Sequence, residues 1–258
     1  MDNSITLIIQ ARMGSSRLPG KMLMPLLENK SMLYWLITRL KTNTSVRHIV
    51  VATSDQPDDL PIVEECQQLN IPCVQGSEWD VLSRFYKAAL AYPSDWIIRV
   101  CGDSPLINGG IIDFVINEKK KRGCDYFSNG NQPPTYAEDG FCAEIFDMPL
   151  LQEAYEKAEW LSEREHVTPY IKKNKNIEHA WAQCRPDYRF KLSVDTLEDF
   201  QNVQWIFSQF KDPVHDGIEE VMHWMKEHPF QNWGHVDYNI GYQKSLQTDQ
   251  KVVRDGIE

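Results

Sequence analysis

The sequence lacks most of the patterns by which nucleotide, metal and membrane sites are usually found. It contains neither the P-loop pattern nor the G-x-G-x-x-G dinucleotide fingerprint. Its six cysteines include no C-x-x-C pair, so we expect reduced thiols in a cytoplasmic protein rather than a metal cluster. No apolar run approaches the roughly 20 residues of a membrane-spanning helix, and the N-terminus shows no signal-peptide pattern.

Positive charge is also scarce. The chain carries 27 cations against 37 acids, for a net charge of −10. Apart from Lys119–Arg122 there is no basic block, and binding to a nucleic-acid backbone generally needs a basic face. We therefore expect no nucleic-acid partner. The 258 residues are enough to bury one substantial hydrophobic core.

Apolar strand-like runs alternate with helical repeats over the first hundred residues. The runs are Ile5–Ile9, Arg47–Thr53, Ile71–Val74 and Trp96–Cys101. This alternation predicts an α/β fold with a largely parallel sheet, in which ligands bind beyond the carboxyl ends of the strands. A later run, Tyr188–Val194, is also predicted to be a strand, whereas the polar segment Ser128–Gly140 is predicted to be a loop.

The loop that follows the first strand has the composition of a polyphosphate site. Its glycines allow backbone N–H groups to approach an anion, its serines add hydroxyl donors, and its cations neutralise charge. These residues are Gly14, Gly20, Ser15, Ser16, Arg12, Arg17 and Lys21.

Two aspartates follow predicted strands. Asp103 comes directly after Trp96–Cys101 and Gly102, and Asp195 follows Tyr188–Val194. A carboxylate at a strand end is well placed to hold Mg²⁺ against a triphosphate, but Asp-x-Pro is also common turn chemistry. From the residues alone, both interpretations of Asp103 stay open.

The segment Ala11–Lys21 resembles the opening signature of the sugar-acid cytidylyltransferases, a group that includes the acylneuraminate, 3-deoxy-manno-octulosonate and spore-coat polysaccharide branches. Gly102–Ile107 resembles a second motif of that family. The resemblance implies a Rossmann-like nucleotide-diphospho-sugar transferase fold with a mostly parallel mixed sheet flanked by helices. It also implies transfer of CMP from CTP to a sugar acid for surface polysaccharide biosynthesis, with Mg²⁺ held by Asp103 and Asp195.

The resemblance also assigns roles to individual residues. Arg12, Arg17, Lys21 and Asp103 are predicted to be catalytic. Nucleotide contacts are predicted for Ala11, Arg12, Gly14, Ser15, Ser16, Lys21, Ser54, Arg99 and Cys101, and acceptor contacts for Glu144, Arg164 and His166.

Two cysteines depart from the family pattern. Cys101 stands where the octulosonate enzymes have a glutamine, and Cys142 replaces an aspartate. A small residue at position 101 and an arginine at position 99 match the spore-coat branch, which the segment Glu163–Ile171 also resembles.

We expect a nucleotidyltransferase domain over residues 1–210 and a C-terminal helical extension over 211–258. The resemblance implies that a region of about 127–181 within this domain helps to form a homodimer. No residue stands out as a general base.

Two alternative functions remain open. One is a glycosyltransferase on the same fold, which would normally carry an Asp-x-Asp motif, and the other is a non-catalytic nucleotide-binding module.

Overall fold

A seven-stranded mixed sheet forms the centre of the protein. The computed structural model describes residues 3–130, 139–174, 178–181, 191–228, 240–247 and 249–250. The strands run in the order β5-β4-β1-β6-β8-β7-β9, and β2 and β3 form a separate small ribbon. Their bounds are β1 Ile5–Gln10, β2 Pro25–Leu27, β3 Lys30–Ser31, β4 His48–Ser54, β5 Cys73–Gly76, β6 Trp96–Cys101, β7 Tyr126–Ser128, β8 Ala143–Asp147 and β9 His179–Trp181.

Strands β5, β4, β1 and β6 are mutually parallel, whereas β8 pairs antiparallel with both β6 and β7. The predicted α/β fold with a mostly parallel mixed sheet is therefore confirmed. Because the parallel strands end at one edge, the loops after β1, β4 and β6 meet there.

Helices cover the sheet and connect its strands. Their bounds are α1 Met32–Leu40, α2 Leu60–Gln68, α3 Val81–Ala91, α4 Gly109–Arg122, α5 Met148–Lys157, α6 Leu161–His166, α7 Pro169–Lys173, α8 Leu197–Gln209, α9 Ile218–Glu227 and α10 Ile240–Gln247. Two of them begin at capping hydroxyls: Ser31, which the sequence predicts as an N-cap, accepts a hydrogen bond from the N–H of Tyr34 at 2.9 Å, and Thr196 accepts one from the N–H of Asp199. None of the described helices is both long and apolar enough to cross a membrane.

Two apolar clusters lie on the two faces of the sheet. Leu7 and Ile9 of β1 point into one, with α1, α4, α8 and α9, while Ile8 points into the other, with α3 and α5. Alternate residues of a strand face opposite sides, so the continuous apolar run of β1 is buried on both faces. This buried strand fixes the start of the loop that follows it.

Three local predictions need comment. Residues 191–194 do not form a strand, because their backbone is held by other partners: Val194 donates to the carbonyl of Asp103 at 2.8 Å, and Asp139 accepts from Leu192 and Ser193. The rest of that predicted strand, 188–190, and most of the predicted loop, 131–138, lie outside the described residues.

Candidate active site

The loop after β1 is held at its start by one buried carboxylate. Asp59, only 2% exposed, accepts a hydrogen bond from the backbone N–H of Met13 at 2.6 Å. Its other oxygen accepts from the hydroxyl of Thr53 at 3.1 Å, and from both the backbone N–H (3.0 Å) and the hydroxyl of Ser54. Asp59 thus joins the loop to the end of β4, a role that the sequence analysis missed.

The same loop then turns back on Met13. The backbone N–H groups of Ser15 and Gly20 both donate to the carbonyl of Met13, at 2.8 and 2.9 Å. Gly20 has a φ of 75°, in the left-handed region that glycine adopts at little cost. This turn brings Lys21, the first residue of a short 3₁₀ turn, back under the end of the sheet.

A first cavity of about 270 Å³ opens above the carboxyl ends of β1 and β6. It contains residues from the loop, from α3, from α6 and from the segment before α8. They are Gln10, Ala11, Arg12, Ser15, Ser16, Arg17, Lys21, Met22, Val81, Arg84, Gly102, Asp103, Glu165, His166 and Asp195. The structure therefore brings together most of the residues predicted from the loop and both predicted metal-binding aspartates.

Lys21 lies between the two aspartates of the first cavity. Its ammonium nitrogen is 3.5 Å from Asp103 Oδ2 and 3.6 Å from Asp195 Oδ1, and it donates to the carbonyl of Val194 at 2.6 Å. Arg17 pairs with Asp195 at 2.8 Å. These two carboxylates, about ninety positions apart in the sequence, and the ammonium group between them form a charged cluster in the cavity.

Asp195 is also held by Lys191, which donates to its Oδ2 at 2.9 Å. Burial alone would raise the pKa of Asp195, but Lys191, together with Lys21 and Arg17, lowers it below its ordinary value. The carboxylate is therefore ionised at neutral pH, as a metal ligand has to be. Lys191 belongs to the predicted strand, and no motif in the sequence indicates this contact.

Asp103 and Asp195 fit a Mg²⁺ ion that is shared with phosphate groups. Both are oxygen ligands, and both lie within reach of one ammonium position. Among the described residues there is no group of three or more histidine, cysteine, aspartate or glutamate side chains that would enclose a metal. Mg²⁺ usually takes one or two carboxylates and completes its shell with substrate phosphates and water, which suits this pair.

Two arginines of the first cavity, Arg12 and Arg84, form no ion pair with a carboxylate of the part of the chain that the structure describes. Arg84 is 2% exposed, and its Nε lacks a hydrogen-bond partner in the described structure. Burial, and then the nearby charge of Arg12, lowers the pKa of Arg84 to about 10. Because buried donors are normally paired, this guanidinium is suited to an anionic or acceptor-rich ligand. From sequence alone, Arg84 was equally consistent with a solvated side chain.

A second cavity of about 620 Å³ adjoins the first, and His166 lines both. Its other lining residues come from β6, β7, β8, α7 and α10. They are Arg99, Cys101, Ser128, Gly130, Cys142, Glu144, Thr168, Pro169, Lys172, Lys173, Tyr242 and Gln243. The two cavities therefore meet at one shared residue of their walls.

Glu144 is the centre of a buried network in the second cavity. It pairs with Arg99, pairs with Lys172 at 2.6 Å, and accepts from the hydroxyls of Tyr126 at 2.6 Å and Thr168 at 2.9 Å. Burial opposes its ionised form, but Lys172 and Arg99 outweigh that effect and hold the pKa of Glu144 well below its ordinary value. Its acceptor capacity is already used, so Glu144 organises the cavity walls.

Several residues with predicted nucleotide contacts lie outside the lining of the first cavity. Arg99 and Cys101 line the second cavity, and burial raises the pKa of the Cys101 thiol to about 11. Gly14 and Ser54 line neither cavity, since the Ser54 hydroxyl is bonded to Asp59.

Arg164, a predicted acceptor contact, lines neither cavity. Its Nε and one Nη donate to Asp80 at 3.0 and 2.7 Å, and the other Nη donates to the carbonyl of Tyr155. We therefore assign Arg164 to the packing of α6 against α3, where Asp80 is also the N-cap.

Comparison with known proteins gives consistent results. Residues 6–246 match the family model described as cytidylyltransferase. The chain is 30% identical over 237 residues to the spore coat polysaccharide biosynthesis protein SpsF of Bacillus subtilis, an alignment that spans 88% of this chain and 96% of that protein. It is 36% identical over 121 residues to a 3-deoxy-manno-octulosonate cytidylyltransferase of Pseudomonas fluorescens, covering 45% of each.

A solved structure of a cytidylyltransferase from Leptospira borgpetersenii is similar over most of its length. It superposes with a TM-score of 0.82 at 28% identity, covering 91% of this chain and 99% of that one. The resemblance noted from the loop motif and Gly102–Ile107 is thereby confirmed. The chain belongs to the cytidylyltransferase family of nucleotidyltransferases.

Proposed function

We propose that the protein transfers CMP from CTP to a hydroxyl group of a sugar acid and releases pyrophosphate, with Mg²⁺ as cofactor. The observation that carries the proposal is the pairing of the two cavities. The first combines cations with two carboxylates at strand ends, and the second is lined by further cations and meets the first at His166.

The first cavity suits a nucleoside triphosphate. Arg12, Arg17 and Lys21 supply positive charge from one loop, and Arg84 supplies it from the opposite wall. Phosphoryl and nucleotidyl transfer depend mainly on positioning and on stabilising charge that moves toward the leaving phosphates. When bound by Asp103 and Asp195, Mg²⁺ would add further neutralisation and would favour ionisation of the attacking hydroxyl.

The second cavity suits an anionic acceptor. Arg99, Lys172 and Lys173 line it, and among its described lining residues Glu144 is the one carboxylate. This excess of cations favours a carboxylate-bearing ligand, and hydroxyl and amide groups from Ser128, Thr168 and Gln243 are available for sugar hydroxyls. The proposed product, an activated sugar acid, is consistent with a place in polysaccharide synthesis.

The direct test is pyrophosphate release from CTP, with ATP, GTP and UTP as controls, with and without Mg²⁺, across a panel of nonulosonic and octulosonic acids. We expect release that needs CTP, Mg²⁺ and one class of acid. Lys21→Ala and Asp103→Asn should each abolish most turnover, whereas Lys30→Ala, an exposed lysine outside both cavities, should not. Unchanged turnover in both site variants would refute the proposal.

A further inference from the structure

The position of His166 suggests a role beyond contact with the acceptor. It is the last residue of α6 and lines both cavities. An acceptor in the second cavity whose hydroxyl reaches a phosphate in the first would pass this residue.

The hydrogen bonds of His166 define its tautomer. Its Nε2 lies 3.0 Å from the hydroxyl oxygen of Ser245, and that hydroxyl donates to Glu165 Oε2 at 2.9 Å. A carboxylate only accepts, and a hydroxyl has one proton, so the proton between His166 and Ser245 belongs to Nε2. In a neutral ring Nδ1 is then unprotonated, and Nδ1 has no hydrogen-bond partner among the described residues.

The surroundings keep the ring neutral. Burial lowers the pKa of His166 to about 4; Glu165 and Glu144 oppose this shift, and Arg99 and Lys172 add to it. The Tyr242 ring is the group that faces it from α10. At neutral pH the imidazole is therefore unprotonated, and one ring nitrogen carries a free lone pair.

The C-terminal helix α10 holds the ring in place, although it lies some 75 residues beyond α6 in the chain. The Tyr242 ring stands edge-on to the His166 ring, with centroids 5.3 Å apart and planes at 82°. Beyond the helix, Asp249 accepts from the backbone N–H and the hydroxyl of Ser162, at 3.0 and 2.6 Å. The tail is thus anchored to α6 at two points.

We propose that His166 is the general base of the reaction and that α10 positions it through Ser245. This rests on the function proposed above. The acceptor O–H gives its proton to Nδ1 as its oxygen forms a bond to the α-phosphorus of CTP. The bond between the α-phosphorus and the bridging oxygen breaks, and pyrophosphate leaves with that electron pair. The imidazolium then returns its proton to water.

The test separates proton transfer from simple contact by chemical rescue. His166→Ala should lower kcat by about 10²–10⁴-fold, the usual contribution of a general base, and added imidazole should restore part of it. CTP should still stabilise the variant against heat, because the cations Arg12, Arg17 and Lys21 of the first cavity are retained. Loss confined to the acceptor KM, with no effect of imidazole, would overturn the proposal.

The positioning role of α10 has its own test. Ser245→Ala should lower kcat more than it raises the acceptor KM, and Ser245→Thr, which keeps the hydroxyl, should recover it. Gln247→Ala, an exposed position of the same helix, is the matched control and should behave as wild type. Equal activity of Ser245→Ala and the control would remove α10 from the mechanism.

A failure of the proposed function is distinguishable from a failure of this inference. If no acceptor triggers pyrophosphate release by the wild-type protein, the proposed function falls and the base has no reaction to serve. The ¹⁵N resonances of the His166 ring report its tautomer without any substrate. A proton on Nδ1 rather than on Nε2 at neutral pH would overturn the inference even in an active enzyme.

Discussion

Replacing Glu144 by glutamine should destabilise the protein strongly, although the two side chains have nearly the same shape. The Glu144 side chain is 8% exposed and faces two cations, Arg99 and Lys172, whose side chains are 13% and 26% exposed. The substitution keeps an amide oxygen for the Tyr126 hydroxyl but leaves both cations without a counter-charge. Breaking a buried ion pair by removing one partner costs about 3–5 kcal/mol.

The lower end of that range is the better expectation for Glu144→Gln, because one acceptor oxygen is retained. A loss of about 3 kcal/mol corresponds to a fall in Tm of about 6–12 °C for a chain of this size. Urea unfolding monitored by circular dichroism would measure it. Glu153→Gln, which loses an exposed partner of Lys157, is the control and should leave the midpoint unchanged.

The stability difference between the wild-type and Glu144→Gln proteins should also depend on pH. The folded-state pKa of Glu144 lies below its ordinary value, so its contribution to stability is complete above the unfolded-state pKa of about 4.3. That contribution is lost as the pH falls through the folded-state pKa. The wild-type and Glu144→Gln proteins should therefore converge in acid. An unfolding free energy within about 0.5 kcal/mol of wild type at pH 7 would refute the reasoning.

Three further changes have clear expected outcomes. Asp59→Ala leaves the N–H of Met13 and the hydroxyls of Thr53 and Ser54 without their acceptor. Because the loop then loses its anchor, the KM for CTP should rise by about tenfold or more, as initial rates measured over a range of CTP concentrations would show. Arg84→Gln removes a buried cation from the first cavity and should weaken CTP binding, measured by calorimetry, by about 10–150-fold. The reason is that charge-assisted hydrogen bonds contribute about 1.5–3 kcal/mol. Arg47→Gln on the exposed surface is the control and should leave CTP binding unchanged. Gly102→Ala would place a Cβ 2.7 Å from the carbonyl oxygen of Gln10, so turnover should fall sharply; wild-type turnover would contradict the close packing of β1 against Gly102.

The sequence predicts the fold well where local pattern and burial agree. The apolar run of β1 and the N-cap at Ser31 are each confirmed, because hydrophobic period and cap chemistry are local properties. The four cations at the end of α4, Lys119–Arg122, show where local pattern fails to predict burial. They are predicted to be solvated, yet Lys119 is 2% exposed, because it donates to the carbonyls of Cys124 and Asp125 and pairs with Asp147.

The candidate site was predictable only where a motif carries it. The loop cations, Asp103 and Asp195 stand out in the sequence, and the structure brings them to one cavity. Asp59 belongs to none of the motifs in the sequence, and the contact of Ser245 with His166 joins residues nearly eighty positions apart. Such contacts depend on how distant elements pack, and no local pattern reports them.

The most direct test of the account is a crystal structure of the complex with CTP and Mn²⁺, in which anomalous scattering locates the metal in place of Mg²⁺. We expect the metal between Asp103, Asp195 and the phosphates, with the triphosphate along Arg12 and Lys21 and the second cavity open beside it. A nucleotide bound outside the first cavity, or a metal away from both aspartates, would contradict the account.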